Sequence, residues 1–102
     1  MAIIKNSPIH GKGAFATELI TKGTILECDV LEIPENELIR DYIFPFIGNR
    51  TCLHIGFGSF LNSSDTPNIK HLRIDYALCI SYFEALVDIE NGEELTLNYS
   101  YR

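Results

Sequence analysis

Apolar and polar positions alternate along most of this chain, and the alternation predicts strands. Residues 24–33 (Thr-Ile-Leu-Glu-Cys-Asp-Val-Leu-Glu-Ile) read as a half-buried strand stopped by Pro34. Residues 69–76 and 77–85 hold strand-like runs of β-branched and aromatic residues, and residues 95–101 alternate as a final strand or strand-like tail. A short opening strand at residues 3–7 ends at Pro8. Turn signals fall between these runs, at Lys22-Gly23 and at Asn91-Gly92. One stretch predicts a helix instead. Residues 35–44 carry early acids and an apolar face at Leu38, Ile39 and Tyr42, with Pro45 limiting the extension. The pattern is mostly β, with many short strands and little helix.

Two segments stand outside the alternation. Residues 53–59 form an apolar run punctuated by Gly56 and Gly58, and residues 60–68 (Phe-Leu-Asn-Ser-Ser-Asp-Thr-Pro-Asn) are turn chemistry. Side chains of Asn62, Ser63, Asp65 and Asn68 can bond nearby backbone, and Pro67 removes one donor, so a compact loop shaped from within is expected. Such a loop makes a wall for a polar ligand; it also makes an ordinary turn between strands. The second segment is Gly11-Lys12-Gly13. Two glycines permit positive φ and close backbone approach, and Lys12 adds a cation, so a carboxylate or phosphate would be held there. Most such pairs are plain turns, and no long helix follows to complete a dinucleotide or P-loop motif.

A length of 102 residues sets one domain, residues 1–102, with a modest core. The hydrophobic share of 46% is that of a folded globular chain, and no apolar run reaches membrane-spanning length. No membrane partner and no secretory leader are expected. Three cysteines, Cys28, Cys52 and Cys79, lie among apolar neighbours without a C-x-x-C pair. Reduced, buried thiols follow, in cytoplasm or, for a viral or eukaryotic source, the host nucleus. No metal-ligand set is indicated. The net charge of −6 argues against direct nucleic-acid binding and favours a basic protein or peptide as partner, although solubility alone explains the same charge.

Taken together, four segments resemble the SET domain of protein-lysine methyltransferases. They are Gly11-Lys12-Gly13-Ala14-Phe15-Ala16, Ile20-Thr21-Lys22-Gly23-Thr24, Phe60-Leu61-Asn62-Ser63-Ser64-Asp65-Thr66-Pro67-Asn68, and the tail from Asp88 through Gly92-Glu93-Glu94-Leu95-Thr96-Leu97-Asn98-Tyr99. The resemblance spans residues 11–99, and the pairing of the asparagine loop with the G-E-E-L-T-x-x-Y tail is its specific part. In size the chain is similar to stand-alone SET domains of some viruses and bacteria.

The resemblance implies a β-clip-like fold of several small twisted sheets with one or two short helices. It also implies a C-terminal pseudoknot, an exception to the usual avoidance of threading. It implies S-adenosylmethionine as cofactor, transfer of its methyl group to a lysine ε-amine of a protein substrate such as a histone-like tail, and Tyr99 as the catalytic tyrosine. Gly11, Lys12, Gly13, Asn62, Ser63 and Tyr99 are the implied cofactor-binding residues. Tyr42, His71 and Tyr101 are the implied walls of a substrate channel, although each also reads as ordinary packing or surface.

Three departures from the family pattern bear on activity. Ser63 stands where the family usually has histidine, Asn98 where aspartate is common, and Glu27-Cys28 where many members have Glu-Tyr. With the chain ending at Arg102, a second copy or the substrate would complete the channel, so a homodimer is an expected form. Two other readings stay open: a SET-like protein that binds without turnover, and a SAF-type β-clip module with no methyltransferase activity. The latter has no need of Asn62 paired with Tyr99.

Overall fold

The computed structural model describes residues 1–33, 43–46 and 50–99. Strands β1 (Ala2–Asn6) and β2 (Lys12–Ala16) pair antiparallel. Strands β3 (Ile25–Ile33), β4 (Ile43–Pro45) and β5 (Thr51–His54) are followed by a 3-10 turn, Phe57–Phe60, and the two-residue strand β6 (Asn62–Ser63). Then come β7 (Ile69–Asp75), β8 (Ile80–Ala85) and β9 (Thr96–Leu97). Five of them make an antiparallel sheet in the order β4-β5-β3-β8-β7, whereas β6 and β9 pair parallel.

The period-two pattern explains the central sheet. On β3, Leu26, Cys28 and Val30 are buried while Ile25, Glu27, Asp29 and Leu31 are exposed; on β8, Ser81, Phe83 and Ala85 face inward. Phe83, Leu26, Ile69, Ile89 and Leu95 are the largest wholly buried apolar side chains, each contributing about 1.5–3 kcal/mol by leaving water. Leu95 belongs to the tail, as does the buried Leu97, so hydrophobic burial helps to anchor that segment.

The helix expected over residues 35–44 does not extend to its predicted end. Ile43 and Phe44 lie in β4, opposite Leu53 and Cys52. The cause is local: Phe44 precedes Pro45, whose ring disfavours α geometry in the residue before it. Residues 35–42 lie outside the described residues. The final strand, expected over residues 95–101, is described as β9 over Thr96–Leu97, and residues 100–101 lie outside the described residues.

What positions the site is the course of the tail. Ile20 and Ile89 exchange backbone bonds (2.8 and 2.7 Å), Ala16 N donates to Glu93 O (2.8 Å), and Leu95 N donates to Ala14 O (2.8 Å). From the next residue the same segment has crossed to the asparagine loop, pairing Asn62 with Thr96 and Ser63 with Leu97, and Ser64 N donates to Leu97 O (2.8 Å). The tail therefore lies between β2 and residues 62–64. A parallel pair needs a long connection, and here the central sheet supplies it.

Candidate functional site

Between the β1–β2 turn and the asparagine loop lies a cleft of about 430 Å³, lined by residues 9–12, residues 59–63 and Tyr99. Its size falls in the range of about 300–1,000 Å³ usual for small-molecule sites. Gly11, Lys12, Asn62, Ser63 and Tyr99, all proposed from sequence as cofactor ligands, share its walls. Gly13 does not line it.

The two glycines serve different ends. Gly11 has φ +46° with open space beside its Cα, so it is there for backbone conformation. It closes the turn by accepting a bond from Ser7 N (2.8 Å). Gly13 is buried in β2, and a Cβ built on it would lie 2.3 Å from Glu94 Oε2 and 3.0 Å from Ser7 Cβ. The absence of a side chain makes room for a carboxylate. Lys12 is exposed, and its Nζ donates to Asn6 Oδ1 (2.7 Å) along the hairpin.

Asn62 is held from outside its own loop. Its Nδ2 lies 2.7 Å from Glu94 Oε2, 3.1 Å from the carbonyls of His10 and Lys12, and 3.2 Å from Ser7 Oγ. Ser7 in turn donates to Glu94 Oε1 (2.7 Å). At the other end of the loop, Asn68 Nδ2 donates to Glu94 O (2.7 Å) and Asn68 Oδ1 accepts from Thr96 N (2.8 Å). An asparagine side chain here does the work of a neighbouring strand. Thus the loop's shape is set chiefly by the tail, where local turn bonds alone were expected; the bond from Thr66 N to Ser64 Oγ (3.0 Å) is a local exception.

Tyr99 is half-buried, packs on the core, and donates its hydroxyl proton to Leu61 O at 2.5 Å. With that proton committed, its oxygen can act toward other groups only as an acceptor. Ser63, by contrast, is exposed at the cleft wall.

His71 stands elsewhere. On β7 it shares the Ser81 hydroxyl with His54: Nε2 of His71 is 2.7 Å from Ser81 Oγ and Nε2 of His54 is 2.9 Å from it. One hydroxyl proton cannot serve two acceptors, so at least one ring donates to the serine oxygen. The ring of His71 also lies 5.1 Å from that of Phe83, and these contacts place it against the core beneath the sheet, away from the cleft's walls. Tyr42 and Tyr101, the other two channel candidates, lie outside the described residues.

Thiol chemistry does not compete for the site. Burial pushes the Cys28 thiol up, and its Sγ donates to Ile55 O (2.9 Å). Burial, reinforced by the nearby Cys79, pushes Cys52 up to about 11. Both remain protonated near neutral pH and are poor nucleophiles there.

Ser7 and Glu94 are the residues that sequence reasoning left without a role. Glu94 stood inside the quoted tail motif, and its partner could not be read because Ser7 lies at the opposite end of the chain. Nothing in the sequence around Ser7 marks it.

The SET-domain family model matches residues 11–100, nearly the whole chain. The chain belongs to the SET-domain family. A comparison with curated proteins found no match. Among solved structures, one from Plasmodium falciparum, provisionally described as a histone methyltransferase, is 24% identical in sequence. It superposes with a TM-score of 0.84 over 99% of this chain and 94% of its own. That likeness, at so low an identity, is one of fold: the small curled sheets and the tail laid beside the loop are a SET architecture.

Proposed function

We propose that this SET domain binds S-adenosylmethionine in the cleft and transfers its methyl group to the ε-amine of a lysine in a protein or peptide. The observation that carries the reading is the convergence of Gly11, Lys12, Asn62, Ser63 and Tyr99, from three distant segments, on one cleft of ligand size. When bound, the cofactor supplies a methyl group on a positively charged sulfur. The residues present fit its amino-acid portion. Gly11 leaves the turn open, Lys12 offers a cation to a carboxylate, and Asn62, with its nitrogen already engaged by protein oxygens, offers Oδ1 to an ammonium.

The residues' own tasks are alignment, exclusion of water and acceptance of an N–H. A free lysine has a pKa near about 10.4, so a neutral amine must be favoured by the site. Desolvation beside a positive charge does so. Tyr99, its proton tied to Leu61 O, accepts from the incoming amine and orients it, so no strong general base is required. The parallel contact of Thr96–Leu97 with Asn62–Ser63 supports a threaded tail as the device that brings Tyr99 to the cleft. The net charge of −6 and the exposed carboxylates of Glu27 and Asp29 favour a basic partner, with a histone-like tail the substrate we propose. Free thiols at Cys28, Cys52 and Cys79 suit a reducing compartment, cytoplasm or nucleus.

The test is calorimetric binding of S-adenosylmethionine followed by transfer of labelled methyl to lysine peptides. Tyr99→Phe is expected to bind cofactor and to lose transfer by about 100-fold or more, as for other transition-state hydrogen-bond groups. A Tyr99→Phe protein with full activity would remove Tyr99 from catalysis. Cofactor binding without transfer to any lysine would favour a binding protein, which the exposed Ser63 supports. No cofactor binding at all would overturn the methyltransferase reading and leave a SET fold whose cleft takes another ligand.

A further inference from the structure

The nitrogen of Asn62 is crowded by acceptors. Four oxygens lie within 3.2 Å of it, from Glu94, His10, Lys12 and Ser7, and an amide has only two protons to give. The carboxylate is the nearest, at 2.7 Å, and the only charged one. Turning the amide over would press Oδ1 against that carboxylate and two carbonyls, so the orientation is fixed by repulsion as well as attraction. Glu94 is itself clamped. Its Oε1 accepts from Ser7, its backbone carbonyl accepts from Asn68, its backbone bridges to Phe15, and glycine at position 13 leaves the space it occupies.

We infer that Glu94 is a positioning residue for ligand binding: it holds Asn62 so that the cleft meets an amide oxygen, and the cleft thereby selects a ligand carrying an N–H donor at that point. On the S-adenosylmethionine reading, which this inference rests on, the donor is the ammonium of the amino-acid portion. Ser7 has the same role at one remove, because it fixes the carboxylate. A glutamine at position 94 keeps the volume but removes the charge and can turn a donor toward Asn62. The Asn62 amide then loses its charged acceptor and is held by the two carbonyls and the Ser7 hydroxyl alone, so the reversed orientation, whose nitrogen would repel an ammonium, becomes more populated.

The experiment compares two probes on the purified chain by calorimetry: S-adenosylhomocysteine, and 5′-methylthioadenosine, which lacks the amino-acid portion. Glu94→Gln is expected to weaken S-adenosylhomocysteine by about 10-fold or more, the scale of one charge-assisted hydrogen bond, and to leave 5′-methylthioadenosine within about 2-fold. Ser7→Ala is expected to show the same selectivity with a smaller loss, and it decides the matter if Glu94→Gln does not fold by circular dichroism. In turnover, the loss should appear in KM for S-adenosylmethionine more than in kcat. Unchanged S-adenosylhomocysteine affinity in the folded variants, or equal losses for both probes, would overturn the inference. If the unmodified chain binds neither probe, the cofactor reading falls first and this inference with it.

Discussion

Adding one methyl group at Gly13 should loosen the site from within. A Cβ there would lie 2.3 Å from Glu94 Oε2, 2.9 Å from Glu94 Cδ and 3.0 Å from Ser7 Cβ. The backbone needs no special φ at this position, so the penalty is spatial. Glu94 can swing aside, but only by giving up its bonds to Asn62 and Ser7. Hydrogen bonds to a charged group contribute about 1.5–3 kcal/mol in favourable cases. Part of that returns when a half-buried carboxylate reaches water, so Gly13→Ala should destabilise by about 2–3 kcal/mol for the pair together. For a domain of this size that is a Tm drop of about 10–20 °C in a thermal melt followed by circular dichroism. A double-mutant cycle isolates the cause. With Glu94→Ala in the background the space is vacant, and Gly13→Ala should then cost less than about 1 kcal/mol. If Gly13→Ala melts with the unmodified protein, or costs as much with alanine at 94, the carboxylate is not what glycine accommodates.

Two further outcomes follow from the same geometry. Ser63 is exposed on the cleft, so Ser63→His should fold normally and hold S-adenosylmethionine as tightly or more tightly, with equal or higher transfer; a large loss of affinity by calorimetry would show that the cleft is fitted to serine. Cys52, whose thiol is pushed from 9.0 to about 11 mainly by burial, should make stability depend on pH in the alkaline range. The unfolded thiol ionises first, so its contribution is complete below pH 9.0 and is lost as pH rises toward about 11. In Cys52→Ala, urea melts across that window should show a smaller fall in stability than the unmodified chain, and an identical fall would refute the assignment.

Alternation in residues 24–33 and the β-branched and aromatic content of residues 77–85 were enough to predict β3 and β8, because both are properties of the local chain. The turn glycines Gly23 and Gly92 were equally legible: both have positive φ, a requirement of the local chain. The cleft's membership was legible for a different reason. Gly11, Lys12, Asn62, Ser63 and Tyr99 were marked as a group by resemblance to a family, not by any property of the segments taken singly.

Tertiary structure decided the rest. Local pattern missed where elements change: β4 replaced the end of an expected helix beside Pro45, and the tail switches partners, from Ala14 and Ala16 on β2 to Asn62 and Ser63, within a few residues. The ring of His71, a candidate for the channel, turned to Ser81 and Phe83 because the face of β7 that it shares is the one packed on the core. Above all, the bonds joining Ser7, Asn62 and Glu94, in space that Gly13 leaves open, unite residues from both ends and the middle of the chain. Strand periodicity is a property of neighbours and can be read along a sequence; a carboxylate's choice of partners depends on which segments the fold lays side by side.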